Sequence, residues 1–336
     1  MARYRIAVIP GDGIGPEVME ACLHVLRALE EAYGGLSLEF MELEAGDGVK
    51  AERGVALPEE TLRGIKSADA ALFAAAGETA GEVIIPIRRR LDLYANVRPA
   101  KAYPGVPRAR EGVDLIIVRE NTEGLYVGVE GRGPDWGVSM RVITRRASER
   151  IAHYAFKLAE EMGRRKVTAV HKANVLRATC GLFLEACRGV AGDYPGIEYE
   201  EMLVDACALK LASKPEDFDI LLTPNLFGDI LSDEAAALIG GLGMAPSGNI
   251  GDRYAVFEPV HGSAPDIAGR GIANPMAMIL SASMMLRWLG EREAADALER
   301  AVSKYLRRGP LTPDLGGAAG TMDVAVGIAR LIREAF

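Results

Sequence analysis

Short apolar runs of strand length alternate along this chain with longer stretches whose apolar residues recur every three or four positions. RYRIAVI, LSLEFMEL, AALFAAA, VDLIIVRE, KVTAVHK, IEYEEMLV and FDILLTP read as strands. GDGIGPEV turns out of the first of these into a helix, with Val18, Cys22, Val25, Leu26 and Leu29 on one face and Pro16 in its first turn. Further helices are predicted at PEETLRGIKS, RRRLDLY, ASERIAHYAFKLAEEMG and NVLRATCGLFLEACRGVAGDY. The last quarter reads as helical throughout: NPMAMILSASMMLRWLG, EREAADALERAVSKYLRRG and TMDVAVGIARLIREAF. This is the alternation of an α/β protein. One Gly-rich, alternating stretch, YVGVEGRGPDWGVSMRVITR, predicts a β excursion from the main body.

Composition narrows the picture. A length of 336 residues allows two lobes and a large core, and 49% hydrophobic with 26% charged residues is ordinary for a soluble globular protein. A net charge of -8 argues against a nucleic-acid footprint, while leaving room for an acidic substrate held by local arginines. No run of 18 apolar residues occurs, and the opening MARYRIAVIPGDG reads as a strand rather than a signal peptide. Cys22, Cys180, Cys187 and Cys207 lack CxxC spacing and fit small buried residues in a reducing cytoplasm. The chain contains no glutamine and only six asparagines, a bias toward loss of heat-labile amides that fits a thermophile. The survivors are Asn96, Asn121, Asn174, Asn225, Asn249 and Asn274, none of them in a long amphipathic helix. If the amide persists only where its paired donor and acceptor are needed, these segments mark the site.

TPNLFGDILSDEAA carries the sharpest chemical signal. Asp229 and Asp233 stand one helical turn apart, on one face, with no Lys or Arg between them. Such a pair repels unless a cation joins it, and hard oxygen ligands suit Mg²⁺ or Mn²⁺. An acidic helix start is the plainer explanation of a bare DxxxD. Here the Gly-rich, apolar surroundings favour the metal. Arg88, Arg98 and Arg119 lie in IRRRLDLY, NVRPAK and VRENTEG, two of them near strand ends, where α/β proteins bind ligands. Arginine suits two-pronged carboxylate recognition, so the substrate would bear more than one carboxylate. Arg89 and Arg90 read as surface charges. Tyr126 and Lys172 are the proton-transfer candidates, since a lysine beside a metal can lose its proton near neutrality. GDGIG lacks GxGxxG spacing and reads as a tight turn at a cleft, not as a Rossmann fingerprint.

Together, GDGIGPEV, LYANVRPAK, VRENTEGLY, HKANVL, LTPNLFGDILSD, APSGNIGD, VFEPVHGSAPDIAGRGIANP and TPDLGG resemble the isocitrate/isopropylmalate dehydrogenase family, the β-decarboxylating dehydrogenases. The motifs run from residue 6 to about 320 in the family's order. The resemblance implies a two-domain α/β fold that is not a Rossmann fold. Residues 1–98 plus 247–336 would form a discontinuous cofactor-binding domain, and 99–246 the substrate, metal and dimerisation domain. An arm near 126–144 would interlock two subunits into a homodimer with shared active sites, with a tetramer as a larger assembly. By the same resemblance, Arg88, Arg98 and Arg119 clamp the substrate carboxylates, with Asn174 and Val175 also at the substrate. Tyr126 and Lys172 act as acid and base, and Asp205, Asp229 and Asp233 hold the metal. Lys172 and Asp205 would face the partner subunit's site. NAD would lie on Asn225, Glu258, His261, Gly262, Ser263, Ala264, Pro265, Asp266, Ile267, Asn274 and Asp314. Asp266 would take the ribose hydroxyls and repel the extra phosphate of NADP. The implied chemistry is metal-assisted removal of the 2-hydroxyl proton by Lys172, hydride transfer, loss of CO₂ and protonation of C3 by Tyr126.

Substrate choice within the family depends on GEVIIPIRRRL. Ile84 and Ile85 resemble the apolar isopropylmalate pocket, whereas the homoisocitrate pattern places an arginine where Ile85 stands. RRRLDLYANVRPAK and VRENTEGLYV look instead like bacterial homoisocitrate dehydrogenases. The expectation is therefore homoisocitrate, 3-isopropylmalate or both, with isocitrate and tartrate dehydrogenases as alternatives. A non-catalytic regulatory subunit would have lost the Tyr, Lys or Asp residues, and this chain retains them all.

Overall fold

The computed structural model describes residues 2–336. Ten strands form one twisted sheet: β1 (Ala2–Gly11), β2 (Leu36–Glu42), β3 (Ala70–Ala75), β4 (Ala95–Lys101), β5 (Asp114–Glu120), β8 (Lys166–His171), β9 (Glu198–Leu203), β10 (Ile220–Thr223), β11 (Pro246–Ile250) and β12 (Ala255–Pro259), in the order β2-β1-β3-β12-β11-β4-β5-β10-β8-β9. The outer strands are parallel on both sides. Between them, the pairings β12–β11, β11–β4 and β4–β5 are antiparallel. An all-parallel doubly wound sheet is thereby ruled out, as the sequence implies. β6 (Glu130–Arg132) and β7 (Gly137–Ser139) make a separate exposed ribbon within the expected β excursion.

Helices cover both faces: α1 (Gly15–Tyr33), α2 (Asp47–Arg53), α3 (Glu59–Ser67), α4 (Ala80–Arg90), α5 (Arg145–Met162), α6 (Arg177–Ala191), α7 (Val204–Ser213), α8 (Asn225–Leu238), α9 (Met276–Trp288), α10 (Arg292–Arg308) and α11 (Thr321–Arg333). α1 buries Val18, Cys22, Val25, Leu26 and Leu29, the five positions its spacing selects. All four cysteines are buried free thiols. Among the described residues no helix is long and apolar enough to cross a membrane.

Two expectations need correction. RRRLDLY is not a helix of its own: α4 starts earlier, at Ala80, runs through Pro86 and stops at Arg90. A proline ordinarily interrupts a helix, so the local signal favoured a start after it. Asp92, at φ 50, turns the chain toward β4. β11 and β12 were also not legible as strands. PSGNI has little strand propensity, and its neighbours in the sheet impose the conformation.

The antiparallel centre positions the site. Directly paired residues on neighbouring strands put their side chains on one face. Asn249 pairs with Val256 on one side and Asn96 on the other, and Asn96 pairs with Arg119. Glu258, Ser247 and Arg98 lie two residues away in the same rows and share that face. The opposite face, with Val97, Ile116, Ile250 and Phe257, lines a groove of about 530 Å³ against Leu280, Met284 and Trp288. One sheet thus has a polar front and an apolar back.

Candidate active site

α8 brings its aspartates to this polar face. At Gly228 a Cβ would sit 2.3 Å from Thr223 Oγ1 and 2.7 Å from Arg119 Cβ, so only glycine lets the helix approach β5 this closely. Asp229 follows immediately. Its Oδ1 accepts from Arg119 Nη1 at 2.5 Å and Arg98 Nη1 at 3.3 Å, and its Oδ2 accepts from the Tyr126 hydroxyl. Asp233, one turn on, lies 3.9 Å from Arg98 with its side chain 61% exposed. The two carboxylates lie 3.3 and 3.9 Å from one nitrogen of Arg98, and their nearest cations are arginines.

Arg88, Arg98 and Arg119 are all buried. Arg119 donates through Nε and Nη2 to Asn225 Oδ1, at 3.0 and 2.7 Å, and its guanidinium lies 5.2 Å from the Tyr126 ring centre. Arg98 bonds Asn96 Oδ1 and Ser232 Oγ. Arg88 pairs with Glu258 at 2.9 Å, and its Nε is buried without a partner. Burial first, then Arg98 and Arg88, pulls Arg119 down to about 9, so it remains a cation at neutral pH. Burial works against the Asp229 carboxylate, but Arg119 and Arg98 outweigh it and hold Asp229 below the ordinary carboxylate range. For Asp233, burial and then the neighbouring Asp229 charge prevail over Arg98 and push it up. Tyr126 is raised by burial and by its bond to Asp229.

The other expected residues fall into distinct places. Lys172 follows β8 and pairs with Asp205 in the first turn of α7, which holds Asp205 below the usual range. This pair is not gathered with Asp229 and Asp233: among the described residues no three His, Cys, Asp or Glu side chains cluster as a metal site. Asn174 and Val175 are exposed beside Lys172. Ile84 packs partly against the core, and Ile85 is half-buried one turn before Arg88. His261 to Ile267 form an irregular loop in which Gly262, Pro265 and Asp266 are exposed, Ala264 has φ 38, and His261 Nε2 is buried without a partner. GDGIG packs on this loop: Ile14 N donates to Ser263 O at 2.8 Å, and a Cβ on Gly13, at φ 60, would lie 2.0 Å from that oxygen. Asn274 donates to Asp314 at 3.0 Å.

Two residues expected at the cofactor bond to the arginines or their partners in this conformation. Asn225 is held by Arg119 and by the Glu123 carbonyl, and Glu258 by Arg88 and Asn249. No local motif marks Asn96, Asn121, Asn249 or Ser232 for a role at the arginines. The scarcity of asparagine was the one signal that pointed to the first three.

The isocitrate/isopropylmalate dehydrogenase family model matches residues 5–328. The chain belongs to this family. A 3-isopropylmalate dehydrogenase of Methanothermobacter thermautotrophicus is 54% identical over 99% of this chain and 100% of its own length. An isocitrate/homoisocitrate dehydrogenase of Thermus thermophilus is 56% identical over 95% of each chain. The crystal structure of isocitrate dehydrogenase from Methylococcus capsulatus superposes with a TM-score of 0.94 at 44% identity, covering 98% of this chain and 99% of that one. The family thus spans several 3-substituted malates, and membership fixes the reaction class without choosing among them.

Proposed function

We propose that this enzyme oxidatively decarboxylates 3-substituted malates, taking 3-isopropylmalate, homoisocitrate or both, with NAD and a divalent metal. The observation that carries this is the single polar face on which Arg88, Arg98 and Arg119 meet Asp229, Asp233 and Tyr126. Three guanidiniums suit a substrate with two or more carboxylates. Carboxylate oxygens from Asp229 and Asp233, completed by Asp205 from a second copy, fit Mg²⁺ or Mn²⁺. The exposed Asp266 carboxylate suits ribose hydroxyls, and the loop it sits on, with Asn274 and Asp314, fits NAD.

Held by these residues, a divalent metal would supply the charge that acidifies the substrate hydroxyl, and NAD would supply the hydride acceptor. The chain's own residues do the rest. Arg88, Arg98 and Arg119 hold the carboxylates and orient C2 and C3. Lys172 takes the 2-hydroxyl proton, and Tyr126, its hydroxyl steered by Asp229, returns one to C3 after CO₂ departs. Ile84 and Ile85 meet the 3-substituent.

Lys172 and Asp205 stand away from Asp229 within one chain, which supports a site completed by a second copy. Exposed apolar side chains support that reading. Trp136, Val138 and Met140 on the ribbon are 53–59% exposed, and Leu209 and Ile230 are 72% and 58% exposed. Such a surface is unfavourable in water unless covered. The domain division at 98/99 and 246/247 falls within β4 and at the start of β11, at the centre of the sheet. Incubation with 3-isopropylmalate or homoisocitrate, NAD and Mn²⁺ should release NADH and CO₂ in equal amounts, and excess EDTA should stop both. NADH without CO₂, or full activity in EDTA, would refute the proposal.

A further inference from the structure

The front face of the central strands carries a continuous chain of buried amides. Arg98 Nε donates to Asn96 Oδ1 at 2.6 Å. Asn96 Nδ2 donates to Asn249 Oδ1 at 3.0 Å and to Ser247 Oγ at 2.8 Å. Asn121 Nδ2 donates to the same Asn249 oxygen at 2.9 Å. Asn249 Nδ2 donates to Glu258 Oε1 at 2.7 Å and to the Val256 carbonyl at 3.2 Å. Glu258 Oε1 in turn accepts from Arg88 at 2.9 Å. Asn96 and Asn249 are fully buried, and Asn121 nearly so.

Two features set this chain apart from a satisfied polar patch in a core. Asn121 Oδ1 and Arg88 Nε are buried without partners, and a buried polar group left unpaired calls for a reason beyond packing. The amide at 249 also cannot be replaced by a one-sided group. Its oxygen serves the Arg98 branch and its nitrogen the Arg88 branch, a division that only a side chain with both a donor and an acceptor can make. In a chain with six asparagines and no glutamine, three amides stand side by side here.

We propose that Asn249 is a positioning residue: by accepting from Asn96 and Asn121 and donating to Glu258, it fixes Arg88 and Arg98 relative to each other so that both guanidiniums close on one substrate. The inference rests on the reading of these arginines as the carboxylate clamp. It concerns the register between strands, not contact with the substrate. Asn249 itself is fully buried and bonds to neither arginine directly.

The test is a set of double-mutant cycles read in KM. Asn249→Ala should raise the KM for 3-isopropylmalate (homoisocitrate serves equally) by about tenfold or more, the size expected when a hydrogen bond to a charged group is lost. The KM for NAD should rise clearly less than the KM for the acid, since Asn249 touches one expected cofactor residue, Glu258, but both arginine branches of the acid clamp. In Arg88→Ala and in Arg98→Ala backgrounds the same substitution should add less than it does in the wild type, because part of what it positions is gone. Asn249→Asp keeps the acceptor and loses the donor. Its penalty should couple to Arg88→Ala and add independently to Arg98→Ala, and it carries the test if the alanine variant does not fold. Equal rises in KM for acid and NAD, or full additivity in both backgrounds, would make Asn249 a stability residue and overturn the inference. If Arg88→Ala and Arg98→Ala leave the acid KM unchanged, the clamp reading fails and the inference with it.

Discussion

Asp229 and Asp233 belong to one predicted metal pair, yet their surroundings assign them different secondary roles. Replacing each by asparagine separates the two. Asp229 accepts from Arg98, Arg119 and Tyr126, and Arg119 is only 1% exposed. Removing one partner of a fully buried ion pair costs about 3–5 kcal/mol. The Asp229 side chain is 35% exposed, so water screening brings this to about 2 kcal/mol for Asp229→Asn. At ~2–4 °C per kcal/mol, Tm should fall by about 4–8 °C. Asp233 is 61% exposed and only 3.9 Å from Arg98. Its replacement should cost at most about 0.5 kcal/mol, or about 1–2 °C. Thermal unfolding in EDTA reads this difference. Added Mn²⁺ should then raise the Tm of the wild type, as binding to the native state must. It should raise neither variant by a comparable amount, and both should lose turnover. Equal Tm losses in EDTA would refute the argued role of Asp229 as counter-ion. Full Mn²⁺ stabilisation of Asp233→Asn would remove it from the metal site.

Other consequences are equally direct. NAD should exceed NADP in kcat/KM by a wide margin, and Asp266→Lys should narrow the gap by replacing a repulsive charge with an attractive one; an unchanged ratio would place the 2′-position elsewhere. Ile85→Arg should shift preference from 3-isopropylmalate toward homoisocitrate, since a methylene-sized apolar contact is worth roughly 0.8 kcal/mol and a new cation would pair with the added carboxylate; unmoved ratios of kcat/KM would take Ile85 out of the pocket. Inactive Lys172→Met and Asp233→Asn proteins, dissociated and reassociated together, should recover up to about a quarter of wild-type activity, because half of a random mixture pairs into dimers with one undamaged site; no recovery despite confirmed subunit exchange would place each site within one chain.

Much of this architecture was readable along the chain because its signals are local. The 3.6-residue spacing of α1 and the apolar runs of β1, β3, β5, β8 and β10 need no knowledge of neighbours. So too with Asp229 and Asp233, whose convergence follows from helix geometry once α8 is placed. β11 and β12 escaped because PSGNI and AVFEP pair with each other and are fixed in the sheet by β4 and β3, which come from residues far away in sequence. α4 was misplaced because Pro86 sits inside a helix whose packing outweighs the lost hydrogen bond. The arginines were legible as a group, but not the amides that join them. Asn96, Asn249 and Glu258 meet only when β4, β11 and β12 are side by side, and rarity of asparagine hinted at their weight without saying what they touch. Separation of Lys172 and Asp205 from Asp229 is likewise a fact of the folded chain.

Steady-state kcat/KM for 3-isopropylmalate, homoisocitrate and isocitrate, each with NAD and saturating Mn²⁺, tests the central claim most directly. An apolar surface at Ile84 and Ile85 beside a three-arginine clamp predicts efficient turnover of 3-isopropylmalate, of homoisocitrate or of both, with isocitrate the poorest of the three. A clear preference for isocitrate, or turnover of none of them, would contradict the account.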